Sequence, residues 1–164
     1  YGMQSPSLML SKNLMLTAVL IAAAIMVPTQ FYFSGLSDRL GRKHVYRWGA
    51  ILTGLWGFAL FPLIDTGDTV LICLAITMGL VFLGMQYGPQ AAYFTELFTT
   101  EVRYSGASLG YQIGAIIGGA LAPTIAVLLW DSFGIFYVSV YIAFAAVLTL
   151  LSLSQLEETK GNRL

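Results

Sequence analysis

The chain has 164 residues; 57% are drawn from AVILMFWYC and only 10% are Asp, Glu, Lys or Arg, with a formal net charge of zero and a mean hydropathy of +0.78. An ordinary soluble domain carries roughly 25% charged residues, and one this apolar would expose patches that soluble monomers avoid. Composition therefore excludes a water-solvated domain, leaves no electrostatic basis for nucleic-acid binding, and points to a lipid bilayer as the partner of most of the surface.

A bilayer core about 30 Å thick is crossed by about 20 apolar helical residues. Five stretches qualify in chain order: Leu14–Leu36, Val45–Ile64, Thr69–Leu97, Ser105–Trp130 and Ile135–Leu153. The third and fourth exceed the minimum and predict tilt, a kink or an extension beyond the lipid. The predicted class is all-α integral membrane, with residues 1–13 as an external loop, 14–154 as a transmembrane bundle and 155–164 as a cytoplasmic tail. The opening Y-G-M-Q-S-P-S lacks an initiator methionine and a basic n-region, and reads as a piece of something longer. The lone Cys73 lies within an apolar run and serves as a small lipid-facing or buried residue.

The connectors are short, which favours antiparallel neighbours. Lys and Arg gather in alternate ones: Arg39, Arg42, Lys43 and Arg47 at the first, Arg103 at the third, Lys160 and Arg163 in the tail, with only Lys12 opposite. Basic segments stay on the cytoplasmic side. This predicts a multi-pass protein of the inner (plasma) membrane with its N-terminus outside and its C-terminus inside. Trp48, Trp130 and Tyr137 near the span ends suit interfacial anchoring.

The first connector reads S-G-L-S-D-R-L-G-R-K from Ser34 to Lys43. Positive-inside topology explains its charge but not its order of acid, base, turn glycine and two more bases. It resembles the loop G-x-L-a-D-R-x-G-R-K of major facilitator transporters, through Leu36, Asp38, Arg39, Gly41, Arg42 and Lys43, with Ser34 in place of the usual Gly. Only four spans follow it, so the resemblance implies helices 8–12 of a twelve-helix fold. From Tyr87 the run Y-G-P-Q-A-A-Y-F-T-E-L-F-T-T-E-V-R-Y-S-G-A-S-L-G-Y-Q-I-G is similar to helices 10 and 11 of the metabolite:proton symporters. Thr99 stands where that family has a proline. The tail E-E-T-K-G resembles the P-E-T-K-G of sugar porters, with Glu157 in place of Pro.

This resemblance implies a fragment of a secondary active transporter that works by alternating access. The implied activity is proton-coupled symport of a small polar metabolite, an organic acid such as shikimate or a dicarboxylate, or proline or betaine. Its partners are the bilayer, the metabolite, protons and a missing N-terminal half. The resemblance also implies a gating charge network of Asp38, Arg39, Arg42, Lys43, Glu96 and Arg103. Asp38 would cap the helix starting near Ser105, Arg42 would pair with Glu96, and Arg39 or Arg103 would complete the set. The physics agrees, since a helix N-terminus carries a partial positive charge and unsatisfied N–H groups.

Inside the spans, Gly106, Gly110, Gly114 and Gly118 recur every four residues, a spacing that lets helix backbones approach in lipid. Ser108 and Gln112 lie on the far side of that helix, about 200° from the glycines. Gln86, Gln90 and Tyr93 share a face of the preceding span, with Tyr87 beside them. These residues, with Gln30, are candidates for the wall of a substrate cavity, and interhelical hydrogen bonding is the alternative for each. Pro28, Pro89 and Pro123 fall inside three spans and predict bends. No acidic side chain lies near mid-span, so a proton-carrying group belongs to the missing part.

The motif G-A-S-L-G at 106–110 matches the hydrolase pattern G-x-S-x-G. Its serine has no base at hand, because His44 sits in a basic loop after another span. Neither a phosphate-binding loop nor a cluster of metal ligands is present, and the sequence implies no enzyme, cofactor or metal. The rival reading is a non-transporting membrane scaffold or assembly subunit, which leaves the ordered loop charges without a purpose.

Overall fold

The computed structural model describes residues 10–159. Its elements are α1 (Lys12–Leu40), α2 (Arg42–Asp65), α3 (Thr69–Glu96), α4 (Arg103–Gly114), a π-helical segment (Ala115–Ala120), α5 (Leu121–Phe133) and α6 (Ile135–Gln155). Counting α4 through α5 as one span, five helices among the described residues are long and apolar enough to cross a membrane. The protein is an all-α membrane bundle.

The helices outrun the apolar stretches. α1 has 29 residues, about 43 Å at 1.5 Å per residue, so its charged end continues past the hydrocarbon. Leu, Lys and Arg are good helix formers, and nothing in the sequence stops α1 before Gly41. The predicted eight-residue connector thus shrinks to Gly41 alone, at φ 110°, a conformation that disfavours a Cβ. At its other end α1 starts on Ser11, whose side chain accepts from the N–H of Leu14 at 3.2 Å, so Lys12 and Asn13 are helical rather than loop. Asp68 caps α3 in the same way, accepting from Val70 and Leu71 at 2.9 and 3.0 Å.

Packing runs α1 on α3, α2 on α3 and α2 on α6. Small residues set the closest approaches. A Cβ on Gly88 would stand 2.8 Å from the Gln30 carbonyl, one on Gly49 2.8 Å from Gln86, and one on Gly54 2.7 Å from Ala146. Ser139 reinforces the α2–α6 seam by donating to the Gly57 carbonyl at 2.8 Å. Outward faces carry large apolar side chains such as Leu20, Phe31 and Leu55, each more than 60% exposed, as a lipid-facing surface requires.

The glycine periodicity of the fourth span is not used in this way. Gly106 sits against the Phe98 ring, where a Cβ would be 2.6 Å away, but a Cβ on Gly110, Gly114 or Gly118 would meet nothing within 4 Å among the described residues. Helix–helix packing instead falls on α2 and α3, because α4 stands away from them. The π-helical segment occupies Ala115–Ala120 just before Pro123. Pro lacks the N–H for an i−4 bond and its ring crowds that carbonyl, a conflict that a widened turn relieves. Periodicity alone gave no sign of this interruption.

Candidate functional site

One end of the bundle gathers the charges. Asp38 lies in the last turn of α1, Arg42 opens α2 and Glu96 closes α3. The Arg42 Nε donates to Glu96 Oε2 at 2.6 Å, between side chains 18% and 9% exposed. Its Nη1 donates to Asp38 Oδ1 at 2.8 Å, with Asp38 59% exposed. One guanidinium thus joins α1, α2 and α3, and only a single residue separates the helices that carry Asp38 and Arg42. The sheltered Arg42–Glu96 bond is the stronger of the two, since charge-assisted bonds gain as water is excluded.

Asp38 and Arg103 are held differently from the expectation. Asp38 faces Arg42 rather than Ser105, and α4 starts at Arg103 with no side-chain bond capping it. The short step across Gly41 keeps Asp38 one turn from Arg42, whereas α4 packs on α3 alone among these three helices. Arg103 turns back on its own loop, donating from Nε to the Phe98 carbonyl at 3.3 Å. Arg39 stands exposed in the last turn of α1, where a cation suits the helix C-terminus.

The segment after α6 completes this end. The Glu158 carboxylate accepts from the backbone N–H of Arg42 at 2.9 Å and of Lys43 at 3.2 Å. Lys43 Nζ donates to the Leu156 carbonyl. The Tyr93 hydroxyl, on a fully buried ring, donates to the Glu157 carbonyl at 3.0 Å. Thr159 Oγ1 donates to Glu96 Oε2 at 2.6 Å, on the same oxygen that holds Arg42. A carboxylate does meet a helix N-terminus at this end, but the helix is α2 and the acid is Glu158.

The cavity candidates divide. Gln86 Nε2 donates to Thr53 Oγ1 at 2.8 Å across the α2–α3 seam. Gln30 packs against Gly84 and Gly88, and Tyr93 is bound to the tail. The first two are interhelical. Tyr87 and Gln90 instead line a cavity of about 590 Å³ with Tyr46, Phe94, Tyr111 and Thr149, walled by Gly110, Gly114 and Gly118. The glycine face of the fourth span therefore borders the cavity. Ser108 and Gln112 lie on exposed positions of α4 and outside that lining, the reverse of what their polarity suggested.

A family model described as the Major Facilitator Superfamily matches residues 3–163. The chain belongs to this superfamily. An inner membrane metabolite transport protein of Escherichia coli is 37% identical over 153 residues, covering 92% of this chain and 34% of that protein. The Escherichia coli shikimate transporter is 31% identical over 118 residues, 71% of this chain and 27% of its own. An ectoine/proline transporter of Corynebacterium glutamicum is 27% identical over 143 residues, 86% and 28% of the two chains. This chain spans about a third of the length of the curated relatives it matches. No solved structure matches it significantly.

Within this member of the superfamily, the sequence reading omits Glu158 and Thr159 from the charged end, places Tyr93 in the cavity, and omits Tyr46, Phe94, Tyr111 and Thr149 from the cavity lining. Glu158 and Thr159 read as an ordinary polar tail, and the weak E-E-T-K-G match was the only signal for them. The helical face that Tyr93 shares with Gln86 and Gln90 points to the cavity, but its hydroxyl donates to the Glu157 carbonyl. Tyr111 borders the cavity through the rotation of α4 about its axis, which the sequence does not give.

Proposed function

We propose that this chain is the C-terminal portion of a secondary active transporter that carries a small polar metabolite by alternating access, in symport with protons. The single observation that carries the reading is the Arg42–Glu96 ion pair, which ties the start of α2 to the end of α3 at the end richest in Lys and Arg. By the positive-inside rule that end is cytoplasmic, so the pair and its Asp38 partner act as a latch that holds the inner face closed. Opening requires Arg42 to leave Glu96. Ion pairs at a membrane boundary are retained where they do such work, because a lone charge there is expensive.

The metabolite binds nearer mid-membrane, where transporter repeats meet, and Tyr87, Gln90 and Tyr111 contribute neutral hydrogen-bonding groups to its site. The names of the relatives support organic acids and amino-acid-like solutes as its class. The proton-carrying group lies in the part of the transporter outside this sequence. Uptake of labelled shikimate and proline by proteoliposomes of the complete transporter, with and without an inward proton gradient, tests the reading. Gradient-stimulated uptake of one of them, lowered at least about tenfold by Gln90→Ala, is the expected result. Gradient-insensitive uptake ends the symport reading, and an inactive protein with intact folding ends the transport reading.

A further inference from the structure

A groove between α2 and α6 at the charged end is used by neither the Arg42–Glu96 pair nor the cavity. Its volume is about 300 Å³, and it is lined by Lys43, Arg47 and Ile51 of α2 and by Leu150, Leu153 and Ser154 of α6. On α2 the lining residues are spaced i, i+4 and i+8, one helical face; on α6 they fall within about one turn. Lys43 is the second residue of α2 and Ser154 the last but one of α6, so the polar groups meet at the rim of the bundle. From there α2 leads inward and α6 arrives from within, which places Ile51 and Leu150 in the deeper part, Ile51 about 12 Å along α2 from Lys43. Trp48, Leu148 and Leu151, next to lining residues in sequence, are exposed, as on a surface that faces lipid.

The two cations are not neutralised from within the groove, whose lining includes no acid. Arg47 is exposed and has no hydrogen bond or ion pair with another described residue. Lys43 Nζ donates to a neutral acceptor, the Leu156 carbonyl, and the Glu158 carboxylate is taken up by the backbone N–H groups of Arg42 and Lys43. The Ser154 hydroxyl donates within α6 to the Leu151 carbonyl at 2.6 Å. A charge at the edge of the hydrocarbon is costly unless it is paired or reaches the headgroup layer. The groove is therefore amphipathic in the order of a lipid molecule, cationic at the rim and apolar below. We propose that it binds one phospholipid of net negative headgroup, with the phosphate on Lys43 and Arg47 and an acyl chain along Ile51, Leu150 and Leu153. The Arg47 guanidinium suits a phosphate because its fork of N–H donors meets two oxygens at once. A soluble anion would use only the rim. Such a site depends on the membrane-spanning fold and on these charges, not on the latch.

The test uses the complete transporter, delipidated in detergent, with native mass spectrometry reading the lipid it retains. The probes are phosphatidylglycerol, phosphatidylcholine with the same chains, and glycerol phosphate as the headgroup alone. Phosphatidylglycerol fills one saturable site at least about tenfold more tightly than phosphatidylcholine, since each basic residue near an anionic headgroup contributes about fivefold. Arg47→Gln narrows that preference about fivefold, and Arg47→Lys restores most of it. Leu150→Trp fills the apolar part without altering charge, lowers phosphatidylglycerol affinity at least about tenfold, and serves if Arg47→Gln fails to fold. Equal affinity for the two lipids, a preference that survives Arg47→Gln, or binding that survives Leu150→Trp overturns the site. Displacement of phosphatidylglycerol by a comparable concentration of glycerol phosphate shows an anion seat only and overturns the lipid as its occupant.

Discussion

Replacing Glu96 by Gln changes the proposed latch with the least disturbance of shape. In the parent, Oε2 accepts from Arg42 Nε and from Thr159 Oγ1, both at 2.6 Å. A hydrogen bond involving an ionised group contributes about 1.5–3 kcal/mol and a neutral one about 1. The Glu96 side chain is 9% exposed and that of Arg42 18%, so solvent screening is modest at the acid and larger at the base, which favours the lower end of the range. Weakening two such bonds amounts to about 2 kcal/mol, roughly a thirtyfold shift from closed to open at about 1.4 kcal/mol per decade. Spin labels at exposed Thr100 and on the other half of the complete transporter, read by double electron–electron resonance, measure that shift as growth of the long-distance population. Arg42→Gln shifts it similarly, and the double variant adds little beyond either single one, because the two residues share the interaction. Fully additive effects, or unchanged distances, would refute the latch.

Gly54→Leu forces side-chain atoms into Ala146, which a Cβ already approaches to 2.7 Å; overpacking of this kind costs about 1–3 kcal/mol and lowers the melting temperature in detergent. Gly114→Ala leaves melting of this chain unchanged, since its Cβ meets nothing within 4 Å among the described residues. Gln86→Leu costs about 0.6 kcal/mol of stability, the average for an interhelical hydrogen bond in a membrane, yet leaves substrate affinity in uptake assays unchanged because its partner is Thr53. Asp68→Ala removes the cap of α3 and lowers stability by about 1 kcal/mol in chemical denaturation.

Much of the fold was legible because the bilayer imposes a one-dimensional rule: apolar runs of sufficient length become helices, with charges between them. Contact between Arg42 and Glu96 was also within reach, since the loop order resembles that of major facilitator transporters, which implies this pairing, and both residues fall at one end. Polarity was a poor guide to direction. Helical spacing places Gln86 and Ser108 among the cavity candidates, yet one bonds to Thr53 and the other lies on an exposed position. A helix's own periodicity gives relative angles between its side chains but not the rotation of the helix about its axis.

The sequence by itself determined that this protein lives in a membrane, how many spans it has here and which connectors carry the positive charge, because hydropathy and charge act residue by residue. Only the tertiary structure decided that Glu158, not Asp38, meets a helix N-terminus, that the tail closes over Glu96, and that the glycine face of α4 borders a cavity. Those facts depend on where α2, α3, α4 and the segment after α6 lie relative to one another. Residues 116 positions apart, as Arg42 and Glu158 are, become neighbours only through packing, and no local pattern encodes that distance.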